Sequence, residues 1–382
     1  MQETHYDVAV IGGGMAGAAL AANLAGELKV LVLERESQPG YHATGRSAAL
    51  FSAIYGSAAI RALSRASRAF LFDPPAGFCE TPLLTPRGVL YIAHAGQVAA
   101  LQAFAALPDV AAGTRMVSVE QAMQLSPCLR PGYLAAALYE QDACDMDVHA
   151  LHQGYLRALR TQGGRVLCDA SVSALRRADA AWHITTGAGT FSASTIVNAA
   201  GAWVDEVAQL AGAAPIGIMP LKRSACIAEL PQGITANLHP EHWPLTIDIG
   251  EGFYFKPDAG CLLISPADET PSAPCDAWAE DIDIAIAIER IAEASTLEIR
   301  RVKNSWAGLR SFVADRNPVV GFDAQLPGFF WLAALGGYGI QTAPAVGRLA
   351  AALLHGKPVP DDMLAFGLDV AQLAPQRRMP RN

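Results

Sequence analysis

The chain has 382 residues, 52% hydrophobic and only 17% charged, which supplies a large core and suits a two-domain length. A formal net charge of -8 excludes the concentrated Lys and Arg of a phosphate-backbone partner, so a small-molecule ligand and no nucleic acid are expected. Seven scattered cysteines with no CxxC pair exclude a disulfide framework and a cysteine zinc site, and no metal is expected.

The opening MQETHY passes directly into an apolar run, leaving no room for a basic leader, and no later run has the length of a membrane span. A cytoplasmic location without a transmembrane segment is expected, with peripheral contact with a membrane left open. Residues 7–36, DVAVIGGGMAGAALAANLAGELKVLVLERE, read as strand, glycine turn, alanine-rich helix, second strand and acid. Gly12, Gly14 and Gly17 fit GxGxxG, which permits a tight turn, backbone approach to a pyrophosphate, and close packing of helix on strand. Glu34 ends the second strand where an acid accepts both ribose hydroxyls, and its charge would repel a 2′-phosphate. That leaves NAD or FAD.

The next segment, ATGRSAA at 43–49, has small residues that let backbone approach a flat ring or a phosphate chain. A helix beginning near Thr44 would aim its N–H groups at a pyrophosphate, whereas a surface cap is the plainer alternative. SVEQAMQL reads as a helix with a capping box from Ser118 to Gln121. In the helix DVHALHQGYLRALR, His149 and His152 have no third metal ligand and read as surface or packing residues. STIVNAAGAWVDEVAQLAG (194–212) is a strand, glycine turn and helix, and WLAALGGYGIQTAPAVGRLAAALL (331–354) repeats that pattern. Between them, residues 223–229, 252–256 and 260–264 read as antiparallel strands, the last two joined by KPDAG. A Pro/Ser-rich loop then leads into the amphipathic helix of EDIDIAIAIERI.

These segments, in this order, resemble the D-amino-acid oxidase and glycine oxidase family of FAD enzymes, and within it the D-arginine dehydrogenases. The resemblance rests on GGGMAG, LERE, QPGYHATGRSAA, ALHQGYLRALR, VNAAGAW, KRSA, FYFKPDAG, WAGLRSFVAD and GGYGIQT, and runs over nearly the whole chain. It implies FAD rather than NAD. The implied cofactor site draws on Gly12, Gly14, Met15, Ala16, Gly17, Glu34 and Arg35. It continues with His42, Thr44, Gly45, Arg46, Ser47, Ala48, Ala49, Val172, Ala200, Gly201, Trp203 and Gly308. Gly336, Gly337, Tyr338, Gly339, Ile340, Gln341 and Thr342 complete it, where a helix N-terminus would stabilise negative charge at the pyrimidine end of a reduced flavin. Some relatives tether the flavin through a cysteine near the position of Leu309 and Arg310, so noncovalent FAD is expected here.

The expected fold class is α/β, α+β overall. A Rossmann-type FAD domain is assembled from 1–80, 143–216 and 306–372, and a substrate domain with a mostly antiparallel sheet from 81–142 and 217–305. Residues 373–382 are expected to be disordered.

Oxidising an amino acid at its α-carbon requires its carboxylate to be fixed, which suits the planar fork of arginine. The resemblance implies that Arg223 and Arg310 approach that carboxylate, with Tyr55 and Tyr254 donating phenolic hydrogen bonds and the Gly337 carbonyl accepting the amine. Lys222 is expected to face solvent. No nucleophile is needed for hydride transfer from a neutral amine to flavin N5, and water or Tyr55 would remove the ammonium proton. The imino acid would hydrolyse to a 2-keto acid and ammonia. Where the D-arginine dehydrogenases carry a histidine and an acid, this chain has Leu50 and Val89, which predicts neutral, mainly hydrophobic D-amino acids unless both are ordinary core residues. Glycine or sarcosine-type amines, 2-hydroxy acids, or a non-catalytic FAD subunit are the alternatives, and the electron acceptor, a quinone or O2, is left open.

Overall fold

The computed structural model describes residues 4–231 and 239–377. The apolar strand Thr4–Ile11 lies between Val30–Leu33 and Gly189–Asn198, parallel to both. Arg165–Leu167 and Phe329–Ala333 extend this parallel core at either side. All four residues of Val30–Leu33 are buried, as expected of a strand covered on both faces. Alternation divides the first strand between two cores. Val8 and Val10 pack under the helices Met15–Leu24 and Gly339–Leu354, while Ala9 and Ile11 face Trp182, Val204 and Trp331. The hairpin Val172–Ala178 and Ala181–Thr186, and the strand Val319–Phe322, add antiparallel edges.

A second sheet lies across from the first. Val89–Ala93 pairs with Ala136–Glu140 on one side and with Leu245–Asp248 on the other, and the second of these pairs is parallel. The sheet continues antiparallel through Tyr254–Asp258, Cys261–Ser265 and Met219–Glu229, which pairs along its length with Val302–Phe312. The expected mixed α/β class and mostly antiparallel second sheet are therefore present. The KPDAG turn closes between Asp258 and Cys261 with Ala259 and Gly260 at φ 46° and 76°, the left-handed pair that a two-residue hairpin turn needs. Ser118 and Gln121 form the expected reciprocal cap.

Three local expectations need correction. No helix begins at Thr44: the Gly45 amide bonds back to the Gly40 carbonyl and closes a turn, and Thr44 Oγ1 instead accepts from the Met15 amide at 3.0 Å. Lys222 does not face solvent. It is 7% exposed and pairs with Glu280 and Asp283, because the helix Asp281–Ala294 covers its side of the strand. Residues 373–377 are placed rather than disordered: Leu373 is fully buried and Arg377 pairs with Asp315 at 2.7 Å. The rest of that tail lies outside the described residues. Among the described residues no helix is long and apolar enough to cross a membrane.

The glycine turn after the first strand sets the closest backbone contact. A Cβ on Gly17 would stand 2.0 Å from the Gly12 carbonyl oxygen. Gly17→Ala should therefore destabilise by about 1–3 kcal/mol through overpacking. Gly132→Ala, where a Cβ meets nothing within 4 Å, is the control, and equal melting temperatures for the two variants would contradict the close-approach account.

Candidate active site

A cleft of ≈ 380 Å³ opens at the carboxyl ends of the parallel strands and runs beneath the second sheet. Its first part is built on the glycine turn. Gly12 has φ +108°, and a Cβ there would come within 2.4 Å of the Ala199 carbonyl oxygen. Glu34 is aimed by two amides, accepting from Gly13 and from Glu36 at 2.9 Å each. Gly14 caps the helix Met15–Leu24 without a side-chain acceptor, so the dipole end of that helix faces the cleft. Arg35 lies 4.8 Å over the Trp203 ring, and His42 packs against the same ring at 4.6 Å while its Nε2 meets Glu36 at 2.9 Å. His152 supports the turn from behind: its Nε2–H donates to the Gly13 carbonyl at 2.8 Å, and burial lowers its pKa, which keeps the ring neutral. The packing role read for it from sequence is therefore specific, since it holds the glycine turn.

Arg46 ties the turn at residues 41–46 to the second sheet. Its guanidinium donates to the carbonyls of Ala277 at 2.8 Å and Ala307 at 3.2 Å and pairs with Asp276, and its own carbonyl accepts from Trp306 Nε1.

At the far part of the cleft, Arg310 projects from the strand Val302–Phe312. Its Nη1 donates to the Tyr55 hydroxyl at 3.3 Å, and no carboxylate lies within ion-pair distance of it among the described residues. Burial opposes the cation, but the phenols of Tyr55 and Tyr254 outweigh it and push the guanidinium pKa above its ordinary value. Arg310 is therefore a charged donor facing a cavity. Gly337 closes over it, since a Cβ there would stand 2.6 Å from Arg310 Cζ. Arg223 also lines the cleft but is already engaged: Nε donates to the Asp268 carbonyl at 2.8 Å, and Nη2 lies 3.4 Å from Glu269 and 3.7 Å from Glu251. The two arginines are not equivalent.

The structure brings nearly all of the sequence-predicted residues to this one cleft, including Leu50, Tyr55, Val89, Tyr254 and the turn from Gly336 to Gln341 other than Tyr338. Gly17, Gly45, Tyr338 and Thr342 stand behind it. Gly17 and Gly45 serve close backbone packing, Tyr338 packs on Tyr55 and Phe312, and Thr342 donates to the Tyr338 carbonyl. Sequence reasoning missed Ser52, Tyr91, Leu245 and Ile247, which also line it. The period of two in VLYIA and LTID was the available signal, because it puts Val89 with Tyr91 and Leu245 with Ile247 on one face. Outside the cleft, exposed His239, Glu241 and His242 bring ligand atoms within 4.8 Å of one another.

Comparison with known proteins decides the family. A family model for FAD dependent oxidoreductases, DAO, matches residues 7–353. The chain belongs to this family. Glycine oxidase from Geobacillus kaustophilus (strain HTA426) is 25% identical over 378 residues, which cover 96% of this chain and 97% of that protein. The solved glycine oxidase from Geobacillus kaustophilus superposes with a TM-score of 0.84 at 23% identity, covering 99% of this chain and 100% of that one. L-proline dehydrogenase from P. horikoshii superposes with a TM-score of 0.83 at 21% identity, covering 98% of each chain. The DAO-family enzyme is thus an FAD-dependent oxidoreductase, and the residues present fit that cofactor. The amide-aimed Glu34, the glycine turn in which Gly12 leaves no room for a Cβ, and the Trp203 wall supply the contacts a dinucleotide needs. The tether position holds Leu309 and Arg310, which suits a noncovalent flavin.

Behind the cleft wall lies a buried acid. Glu140 is 2% exposed and accepts from Ser52 Oγ at 2.7 Å and from the Ala53 amide at 3.0 Å. Burial raises its pKa to about 7, with Asp142 adding to the shift and the hydrogen bonds from Ser52 and the backbone opposing it; Tyr91 and Cys144 are its other titratable neighbours. A carboxyl raised from 4.5 to about 7 stabilises the fold below pH 4.5, and that contribution is lost as pH rises to 7. Glu140→Gln, which mimics the protonated form, should therefore gain about 3 kcal/mol relative to wild type between pH 4.5 and 8. Melting temperatures of the FAD-loaded proteins across that range check this, and a pH-independent difference would refute it.

Proposed function

We propose that this enzyme oxidatively deaminates D-amino acids with neutral, mainly hydrophobic side chains. The observation that carries the proposal is Arg310, a half-buried, charged guanidinium that faces the cleft among phenols and has no carboxylate within ion-pair distance among the described residues. A substrate carboxylate is the missing anion, and a planar fork binds it through paired charge-assisted bonds. FAD, when bound, supplies the hydride acceptor for the α-carbon.

In this reading Arg310 fixes the carboxylate, with Tyr55 and Tyr254 donating to it and Arg223 adding positive potential from within its acid network. The Gly337 carbonyl accepts from the amine, and Leu50, Val89, Leu245 and Ile247 keep water from the side chain. The neighbouring carboxylates of Glu251 and Glu269 are engaged by Arg223 and Arg316, so a substrate guanidinium would find no free counter-charge there. We infer further that the first sheet is the FAD domain, from 1–80, 143–216 and 306–372, and the second the substrate domain, from 81–142 and 217–305. In support, the strands of each sheet fall in those segments, and only Val302–Phe312 straddles a boundary. A cytoplasmic location accords with the reduced thiols expected of the scattered cysteines.

Mixing the yellow protein anaerobically with matched D- and L-amino acids tests the proposal. D-leucine, D-methionine or D-phenylalanine should bleach the flavin rapidly, and D-arginine and the L-enantiomers slowly. Bleaching by glycine or sarcosine alone would transfer the assignment to a small-amine oxidase, and fastest bleaching by D-arginine would overturn the neutral pocket. Readmitting O2 or a quinone to the reduced protein then identifies the acceptor. Arg310→Lys, which keeps the charge but loses the fork, should lower kcat/KM by about 10²–10³-fold. Activity unchanged in that variant would remove Arg310 from the substrate site.

A further inference from the structure

The pocket that takes the side chain is not apolar throughout. Tyr254 stands opposite Ile247, and Ile247 stands beside Tyr91 on the next strand. All three residues line the cleft. Adjacent strands are about 4.8 Å apart, so Tyr91 lies about 10 Å along the sheet from Tyr254, the residue that faces Arg310. A substrate anchored at Arg310 would send its side chain along this row, past Ile247, toward Tyr91 and Ser52.

That end carries a chain of polar groups. Ser52 lines the cleft and donates a hydrogen bond to Glu140 Oε2 at 2.7 Å, and Tyr91 lines the same cleft. Because the serine hydroxyl donates its hydrogen bond to Glu140, the serine oxygen keeps its lone pairs free to accept. Glu140 itself stands across the ladder from Val89, held by the Ala53 amide. A wall needed only to pack an aliphatic side chain has no use for a phenol or for a hydroxyl bonded to a buried carboxyl, each costly to bury.

Resting on the deamination reading above, we propose that the far end of this pocket selects neutral side chains with an apolar body and a hydrogen-bonding tip. Tyr91 and Ser52 make the contact, and Glu140 is a positioning residue that orients Ser52. The competing account is purely structural, with the same chain only fastening residues 52–54 to the second sheet.

Matched substrate pairs separate the two. Relative kcat/KM is measured on the FAD-loaded enzyme for D-tyrosine against D-phenylalanine and for D-glutamine against D-methionine, pairs of similar size that differ at the tip. Wild type should prefer the polar member of at least one pair by about tenfold or more. Tyr91→Phe and Ser52→Ala should bring that ratio toward one, and Glu140→Gln should reduce it less. A purely structural role would lower both members of a pair together and leave the ratio where it was. Wild-type ratios at or below one in both pairs, or ratios unchanged in Tyr91→Phe and Ser52→Ala, overturn the inference and leave deamination standing. If none of the four D-amino acids bleaches the flavin, the deamination reading falls and this inference falls with it.

Discussion

Arg310 is a half-buried cation at the cleft with no carboxylate within ion-pair distance among the described residues, and elements of both sheets hold it there. A guanidinium in that position is tolerable only where phenols and carbonyls satisfy its donors and where no flexible acid can collapse onto it. The strand Val302–Phe312 supplies the rigidity. It pairs along its length with Met219–Glu229 in one sheet, and Ser311 bridges to Gly336 beside the other. Gly337 then closes over the guanidinium at a distance no side chain would permit.

The same economy of charge distinguishes the other basic residues near the cleft. Arg223, Arg316, Lys222 and Arg46 all have carboxylate partners, and each stabilises the junction of loops and strands rather than waiting for a ligand. Neutralising these four while leaving one cation open gives the cleft a single strong point of attraction. A carboxylate entering it is oriented by that one point, and orientation is most of what hydride transfer requires from a protein.

The nucleotide part of the cleft obeys a different constraint, which is distance rather than charge. Gly12 and Gly17 bring strand, helix and the Ala199 carbonyl closer than any Cβ allows, and His152 holds the Gly13 carbonyl from below. Glu34 is fixed by two backbone amides before any ribose arrives, so little ordering is left to do on binding.

The sequence by itself determined what local pattern encodes. The glycine turn with its flanking strands and acid, the KPDAG hairpin and the Ser118 capping box all sit within one or two elements, where period and spacing are legible, whereas the helix that local pattern suggested at Thr44 did not form. The resemblance of the ordered motifs carried the family and FAD. Tertiary structure decided the rest, because it depends on partners far apart in the chain. Lys222 meets Glu280 across 58 residues and Ser52 meets Glu140 across 88, and neither pairing leaves a trace in the residues around it. Local pattern already favoured Arg310 over Arg223, because the apolar GLRSFVAD leaves its charge without a partner, but only folding gave Arg223 its acids, since a side chain's electrostatic surroundings belong to the assembled sheets and not to its own strand.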